Sequence, residues 1–358
     1  MKKSLLALAV LGAYAGVASA QSSVTLYGTV DLSAKYVKND GSVRRYSLSQ
    51  DGINSSQLGF KGTEDLGGGL KAGFVLLAGV NADTGSANTQ FWNRRATVSL
   101  WGNFGEVRLG RDYTPTFWNN TIFDAFGTNG LGDSSHVQQL GVGTFVRANN
   151  SIGYFLPSGI GGVYGQVMAA ASEGASGPTV NGTANVGANP GRYVGGRVGW
   201  AGGPIDVAAA FASQRLDNTP TQPNQKTYNV GASYDLGVVK LMGYFDRDTL
   251  SFGATDLKEN RGSFSAVVPI GQSEIHAGYS LSKLNNSGTT TKIDQFALGY
   301  VYNLSKRTAL YTTASRLNNK NGTHNSVAGG TAQTAAPTGT AGGSFKSTGF
   351  EAGLRHFF

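Results

Sequence analysis

The sequence predicts an all-β chain: a 16-stranded antiparallel transmembrane β-barrel, 16 being the count of its alternating runs. Three observations point to it. Residues 350–358 alternate strictly, with Phe350, Ala352, Leu354, His356 and Phe358 on one face and Glu351, Gly353 and Arg355 on the other. Near the start, Val24, Leu26, Gly28, Val30, Leu32, Ala34 and Tyr36 form an apolar or small face against Thr25, Tyr27, Thr29, Asp31, Ser33 and Lys35. Between them the period-two runs recur in an even number, as an up-and-down barrel requires. Lipid offers no partner to an open sheet edge, so the first strand is expected to pair with the last.

Residues 1–20 read as a secretory signal peptide. Lys2 and Lys3 precede an apolar stretch over 5–17, and Ala18-Ser19-Ala20 supplies the cleavage site. A membrane-anchoring helix is the competing reading, but the apolar run is too short for one. Cleavage after Ala20 leaves one barrel domain, 21–358, and no cysteine precedes the cut to carry a lipid anchor.

The chain has 358 residues, no cysteine and a formal charge of +8; loss of Lys2 and Lys3 leaves +6. An exported fold without cysteine relies on neither disulfides nor thiolate-bound metal. No second long apolar run exists, so spanning helices are excluded. The 53 glycines, lacking a triplet period, suit tight turns and close strand approach.

The second strand is expected to end at Leu58-Gly59-Phe60-Lys61-Gly62, with a turn over 63–69 leading into a strand over 70–80. Hairpins follow through Asn103-Phe104-Gly105, Ala201-Gly202-Gly203-Pro204, Asp235-Leu236-Gly237, Pro269-Ile270-Gly271 and Asn303-Leu304-Ser305-Lys306. These tight turns suit the periplasmic end, and the polar tracts 173–190, 217–225 and 318–343 suit extracellular loops. Tyrosines and phenylalanines gather at strand ends, as in interfacial girdles. A soluble β-sandwich would also alternate, but it needs neither a terminal aromatic nor so many long strands.

Several motifs in order carry a family resemblance. Ser23-Val24-Thr25-Leu26-Tyr27-Gly28, the run 58–73, Phe104-Gly105-Glu106-Val107-Arg108-Leu109-Gly110-Arg111, Leu304-Ser305-Lys306-Arg307-Thr308 and the final Phe358 resemble Gram-negative trimeric general porins. The resemblance covers essentially all of 21–358. It implies a multi-pass outer-membrane barrel, a homotrimer surrounded by lipid and lipopolysaccharide, and a water-filled channel for passive diffusion of small hydrophilic solutes and ions. It also implies a third extracellular loop folded inward to narrow the pore.

The chain offers such a constriction loop over 112–146. Tyr113, Phe117, Trp118, Phe123 and Phe126 lie in it, and rings of that number must bury against something. The barrel lumen is the available place; an ordinary exposed loop with local aromatic packing is the competing reading.

Selectivity in such a pore is set by fixed charges facing each other across the narrowest point. The family places wall arginines just before the Leu-Gly-x-Lys-Gly motif, early in the fourth strand and at the start of the sixth. Those places fall on Gln57, which removes one charge, on Arg94 with Arg95 beside it, and on Arg147. Strand parity points Gln57 inward. For Arg94 parity alone is undecided, since Ala96, Val98 and Leu100 could face either way, and the family pattern assigns it to the pore. Ion pairs at the rim or at a subunit interface are the competing role for these arginines.

On the loop, the family's Pro-Glu-Phe-Gly becomes Asp124-Ala125-Phe126-Gly127, so Asp124 supplies the carboxylate, with Asp112 and Asp133 ranked behind it. Tyr113 could line the eyelet, and Lys35 should face the lumen above it. Few loop acids, two wall arginines and a positive chain lean the channel toward anions.

Catalytic signals are thin. The four histidines, His136, His276, His324 and His356, form no metal spacing, and no G-x-S-x-G, H-E-x-x-H or P-loop pattern occurs. The expectation is therefore no enzyme, no cofactor, no metal and no nucleic-acid partner. A barrel hydrolase, an adhesin barrel and a substrate-specific porin are the alternatives. The last would show saturable uptake, and no stripe of lumen aromatics stands out for it.

Overall fold

The computed structural model describes residues 23–140, 146–172, 179–180, 183–184, 192–216, 223–286, 288–329 and 344–358. The signal-peptide reading of 1–20 lies outside these residues, as do 141–145 of the constriction loop and most of the expected loops 173–190, 217–225 and 318–343.

The first half of the wall contains β1 (Ser23–Asn39), β2 in two segments (Arg45–Gln50 and Gln57–Gly67), β3 (Leu70–Asn81), β4 (Arg95–Gly102), β5 (Gly105–Tyr113), β6 (Arg147–Phe155), β7 (Val163–Ala170) and β8 (Tyr193–Gly202). The second half contains β9 (Ile205–Arg215), β10 (Asn224–Asp235), β11 (Lys240–Phe252), β12 (Thr255–Ile270), β13 (Ser273–Asn286), β14 (Thr289–Asn303), β15 (Thr308–Lys320) and β16 (Phe345–Phe357). The sheet has 18 segments; the two halves of β2 count once and Ser86–Ala87 merely extends the end of β3, which leaves 16 strands.

Each strand pairs antiparallel with its neighbours in sequence, and β1 closes on β16. The closing register runs from Thr29↔Phe357 to Asn39↔Ser347. Gly28 and Phe358 exchange both backbone hydrogen bonds, each 3.1 Å. No edge is left for lipid to meet, as a membrane sheet demands.

The two faces invert the pattern of a soluble protein. Val98, Leu109, Ile152, Val198, Phe245, Phe296 and Phe350 are exposed on the outside, while Thr97, Ser99, Asp112, Gln295 and Glu351 are buried within. A lipid-facing exterior and a polar interior are what the period-two alternation encodes.

Several residues expected in turns, Ala201, Gly202, Asp235, Ile270 and Asn303 among them, belong to strand ends, and two departures have a clear local cause. The strand β2 runs on to Gly67 rather than ending at Gly62, because Gly67, Gly68 and Gly69 take φ of 84°, 61° and 82° and complete the reversal by themselves. Asp65 accepts from the Gly67 N–H at 2.9 Å across that turn. Pro269 belongs to the end of β12, opposite Glu274, instead of the turn. Proline is tolerated where a ladder is ending and its missing N–H costs least.

The loop after β5 enters the barrel. It contains α1 (Pro115–Ile122) and two 3-10 turns, Gly130–Gly132 and Ser134–Val137. Thr114 caps α1 by accepting from the Phe117 N–H at 3.4 Å, and Pro115 begins the helix where an N–H would be unpaired anyway. Apolar clusters form where this loop meets the wall. Phe123 packs with Ala208 and Tyr244, Phe126 with Met242 and Ala297, and Leu131 and Val137 with Val37, Ile293 and Leu317.

Candidate pore constriction

The loop is held by polar groups of the opposite wall, most of them aimed at a backbone group of the loop. Glu351 on β16 accepts from the Leu131 N–H at 2.8 Å, and Gln295 on β14 donates to the Leu131 carbonyl at 2.9 Å. Glu259 on β12 accepts from the N–H groups of Gln139 and Leu140 at 2.9 and 2.7 Å. Ser265 accepts from the Ala125 N–H at 3.1 Å, and a ring nitrogen of His276 lies 2.7 Å from the Ala125 carbonyl. Around α1, Asn119 donates to Asn229 at 2.9 Å, Asn229 donates to the Thr116 carbonyl at 3.1 Å, and Arg197 bonds Asn119. A loop crossing a barrel carries many backbone groups that need partners, and these side chains supply them.

The same logic holds the break in β2. Asp31 accepts from the N–H groups of Gly52, Ile53 and Asn54 at 3.2, 2.9 and 2.7 Å, and the Tyr311 hydroxyl also bonds it. The break brings Asp51, Ile53, Asn54 and Ser55 to the lumen beside the loop.

Between loop and wall lies a cavity of about 980 Å³. Lys35, Gln57, Arg94, Arg95, Tyr113, Asp124 and Arg147 all line it, with Trp118, Asp133 and His136. The eighth residue singled out from the sequence, Asp112, does not line it. Asp112 is 1 % exposed and pairs with Arg108 at 2.6 Å and Arg95 at 3.4 Å behind the surface. Parity explains its place: Arg108, Gly110 and Asp112 alternate with the outward Leu109, and a register shift between Gly110 and Asp112 turns the strand toward the loop.

Tyr113 organises the cations. Its hydroxyl accepts from Arg94 at 3.2 Å and from Arg147 at 2.9 Å. The Arg147 guanidinium also lies 4.4 Å from the ring centroid, a cation–π contact. Phe117 stacks on Tyr113 at 5.7 Å, nearly parallel at 10°, and Trp118 leans on it at 5.4 Å. Two like charges are thus held side by side by one neutral oxygen and a short aromatic stack. Arg94 precedes β4 by one residue, where the strand parity that settles Arg95 as inward no longer applies. The Nε atoms of Arg94 and Arg147 and the indole nitrogen of Trp118 have no hydrogen-bond partner among the described residues.

The carboxylates near the cavity are turned to amides instead of to these arginines. Asp124 accepts from the N–H groups of Phe126, Thr128 and Ser134 at 3.0, 3.3 and 3.3 Å. Burial, reinforced by the nearby Asp133 charge, pushes its carboxyl up to about 6. Asp133 accepts from the Ser135 N–H at 2.7 Å. Burial lowers the His136 imidazole, against the pull of Asp133. Lys35 sits 3.4 Å from Glu351.

Sequence reading did not single out Trp118 as lining the cavity, and it missed the anchors Asp31, Glu259 and Glu351. Inward parity on their strands was the available signal, since an acid facing a lumen needs a partner.

The match to known proteins is extensive. A family model described as Gram-negative porin matches residues 7–322. The outer membrane porin protein 32 of Delftia acidovorans is 40% identical over 370 residues, covering 100% of both chains. The chain belongs to the Gram-negative porin family. An outer membrane porin of Bordetella pertussis is 30% identical over 366 residues, spanning 89% of this porin and 95% of the relative. A solved anion-selective porin from Comamonas acidovorans superposes with a TM-score of 0.82 at 37% identity, covering 94% of this porin and 100% of that chain. The molecule is accordingly an outer-membrane channel, and its lumen is the path that solutes take.

Proposed function

We propose that this porin is an anion-preferring passive diffusion channel whose eyelet is set by Arg94 and Arg147. The observation that carries the reading is a difference in partners. Neither arginine lies within ion-pair distance of a carboxylate among the described residues, whereas Lys35 and Arg95 are paired with Glu351 and Asp112. Asp51, which also lines the cavity, acts on Arg94 only from beyond ion-pair distance, so the positive field of the two guanidiniums remains available to the solute. An arriving anion exchanges part of its water shell for guanidinium N–H groups and leaves as readily, because a water-filled lumen keeps each contact weak. Gln57 offers hydrogen bonds without charge, and Asp124 is spent on loop amides.

Assembly as a homotrimer fits the outer surface. Outward positions on β1–β4 include the small Gly28, Gly62, Ala72, Ala78 and Ala96, where walls can approach closely. Positions on β10–β14 instead carry Tyr228, Phe245, Phe264, Tyr279 and Phe296, bulky rings suited to lipid. The reading also places no catalytic step in the channel.

Liposome swelling tests the preference with solutes of one size. Small organic anions should enter faster than cations of equal mass. Equal rates, or faster cations, would remove the preference while leaving the channel intact.

A further inference from the structure

The cavity beside Arg94 and Arg147 is less polar than a water-filled path requires. On β3, Val75 and Leu77 face inward, opposite Thr97 and Arg95 of β4. They line the cavity together with Tyr27, Ile53, Phe117 and Trp118. Lumen positions of a barrel ordinarily carry polar side chains, since water fills the space. Apolar groups gathered there gain nothing from that water, but they gain from a solute with an apolar body.

Phe117 and Trp118 are neighbours on α1, and Tyr113 joins them to the cations. Phe117 lies nearly parallel to Tyr113, at 10° and 5.7 Å, and Trp118 contacts Tyr113 at 5.4 Å. Both rings also reach the cavity. The Tyr113 hydroxyl takes one Nη2 group from Arg94 and one from Arg147, at 3.2 and 2.9 Å. The Nη1 group of each arginine has no protein partner among the described residues. Two guanidiniums converging on one oxygen are close enough for a single carboxylate to bridge them. The acids of the same cavity are turned to backbone amides: Asp51, Asp124 and Asp133 accept from the N–H groups of Ser56, Phe126 and Ser135 at 2.6, 3.0 and 2.7 Å. A cationic pair thus adjoins aromatic and aliphatic surface within a volume of about 980 Å³.

We propose that this cavity is a subsite for aromatic carboxylates. The carboxylate bridges Arg94 and Arg147, and the ring lies against Trp118 and Phe117, extending the stack built on Tyr113. Offset or edge-on contacts between aromatic rings contribute beyond the area they bury, which a saturated ring of similar size does not match. The subsite rests on the anion preference argued above and names the class of anion that gains most from it.

Blocking of chloride current tests the subsite, with the purified full-length porin in a planar bilayer and benzoate and cyclohexanecarboxylate as probes. The two share a charge and a carbon count and differ in aromaticity. Benzoate should half-block at a concentration about fivefold lower than cyclohexanecarboxylate. In Trp118→Leu that ratio should fall to about twofold or less, whereas Trp118→Tyr should retain it. The ratio is taken within each variant, so a change in conductance cancels. Arg147→Ala should weaken block by both probes alike. Equal block by the two probes in the parent, stronger block by cyclohexanecarboxylate, or an undiminished ratio in Trp118→Leu would overturn the subsite while leaving a chloride-selective channel in place. A potassium-selective parent would instead overturn the anion preference on which it rests.

Discussion

Glu351, on the final strand, accepts the backbone N–H of Leu131 at 2.8 Å, joining positions 220 apart in sequence. The same carboxylate is 0 % exposed, bonds Ser33 at 3.3 Å and lies 3.4 Å from Lys35. One acid therefore ties the tip of the constriction loop to the seam where the barrel closes. A hydrogen bond to a charged group contributes about 1.5–3 kcal/mol, and Glu351→Ala forfeits it while freeing Lys35. The expected result is a wider, noisier channel with stronger anion preference, read from single-channel conductance and open-state noise.

Arg147→Ala should weaken anion preference without unfolding the barrel, since lumen charges tune selectivity more than they hold the wall. Across about 4 Å of water a unit charge is worth about 1 kcal/mol, or about fivefold in the anion-to-cation permeability ratio. Tyr113→Phe keeps both charges and removes the oxygen they share. It should preserve the ratio and raise current noise, which separates positioning of the arginines from their charge.

Arg95 and Arg94 are sequence neighbours with different surroundings. Arg95 faces Asp112 at 3.4 Å, so Arg95→Gln should shift selectivity less than Arg94→Gln. Asp112→Asn should act oppositely, strengthening anion preference by leaving Arg95 without its carboxylate, while Arg108 keeps Glu106 at 2.9 Å. Reversal potentials of the three variants under one salt gradient give the order.

The carboxyl of Asp124 sits at about 6 because burial and Asp133 disfavour its charge. Below that pH it takes up a proton that the unfolded chain, with an ordinary carboxyl near 4, would not yet hold. Docking of the loop therefore gains as pH falls from about 6 to about 4, and that gain is absent at higher pH. The eyelet loses a negative charge over the same interval, so anion preference should rise between pH 7 and pH 5. Burial lowers the neighbouring His136 imidazole, against the pull of Asp133. Titrating the reversal potential of the parent and of Asp124→Asn checks this; the variant should change less than the parent.

A side chain at Gly231 on β10 would overlap the ring of Phe123. Gly231→Val should displace the loop and lower the thermal stability of the loop-docked state by an amount typical of overpacking, about 1–3 kcal/mol. Proteolysis of the loop and differential scanning calorimetry measure the two consequences.

The barrel was legible because alternation is local. The apolar Phe350, Ala352 and Leu354 and the polar Glu351 and Arg355 declare their faces from sequence alone, as do the residues of β1. The inward loop was legible from its aromatics, which needed a place to bury. Strand limits were less so: the end of β2 depends on how three glycines divide a reversal, and Pro269 on how far a ladder extends. The eyelet was legible only in part. Arg94 lies just outside the strand that would fix its direction, and the shared oxygen of Tyr113 depends on how β5 meets β6. Trp118 and the anchors Asp31, Glu259 and Glu351 acquire their roles from long-range contacts that spacing does not encode.

The zero-current potential across a planar bilayer holding the purified porin in a potassium chloride gradient tests the preference most directly. The sign should be that of chloride-selective current, and it should move toward the non-selective value in Arg94→Ala and Arg147→Ala. A potassium-selective sign in the parent, or no movement in either variant, would contradict an eyelet governed by those two arginines.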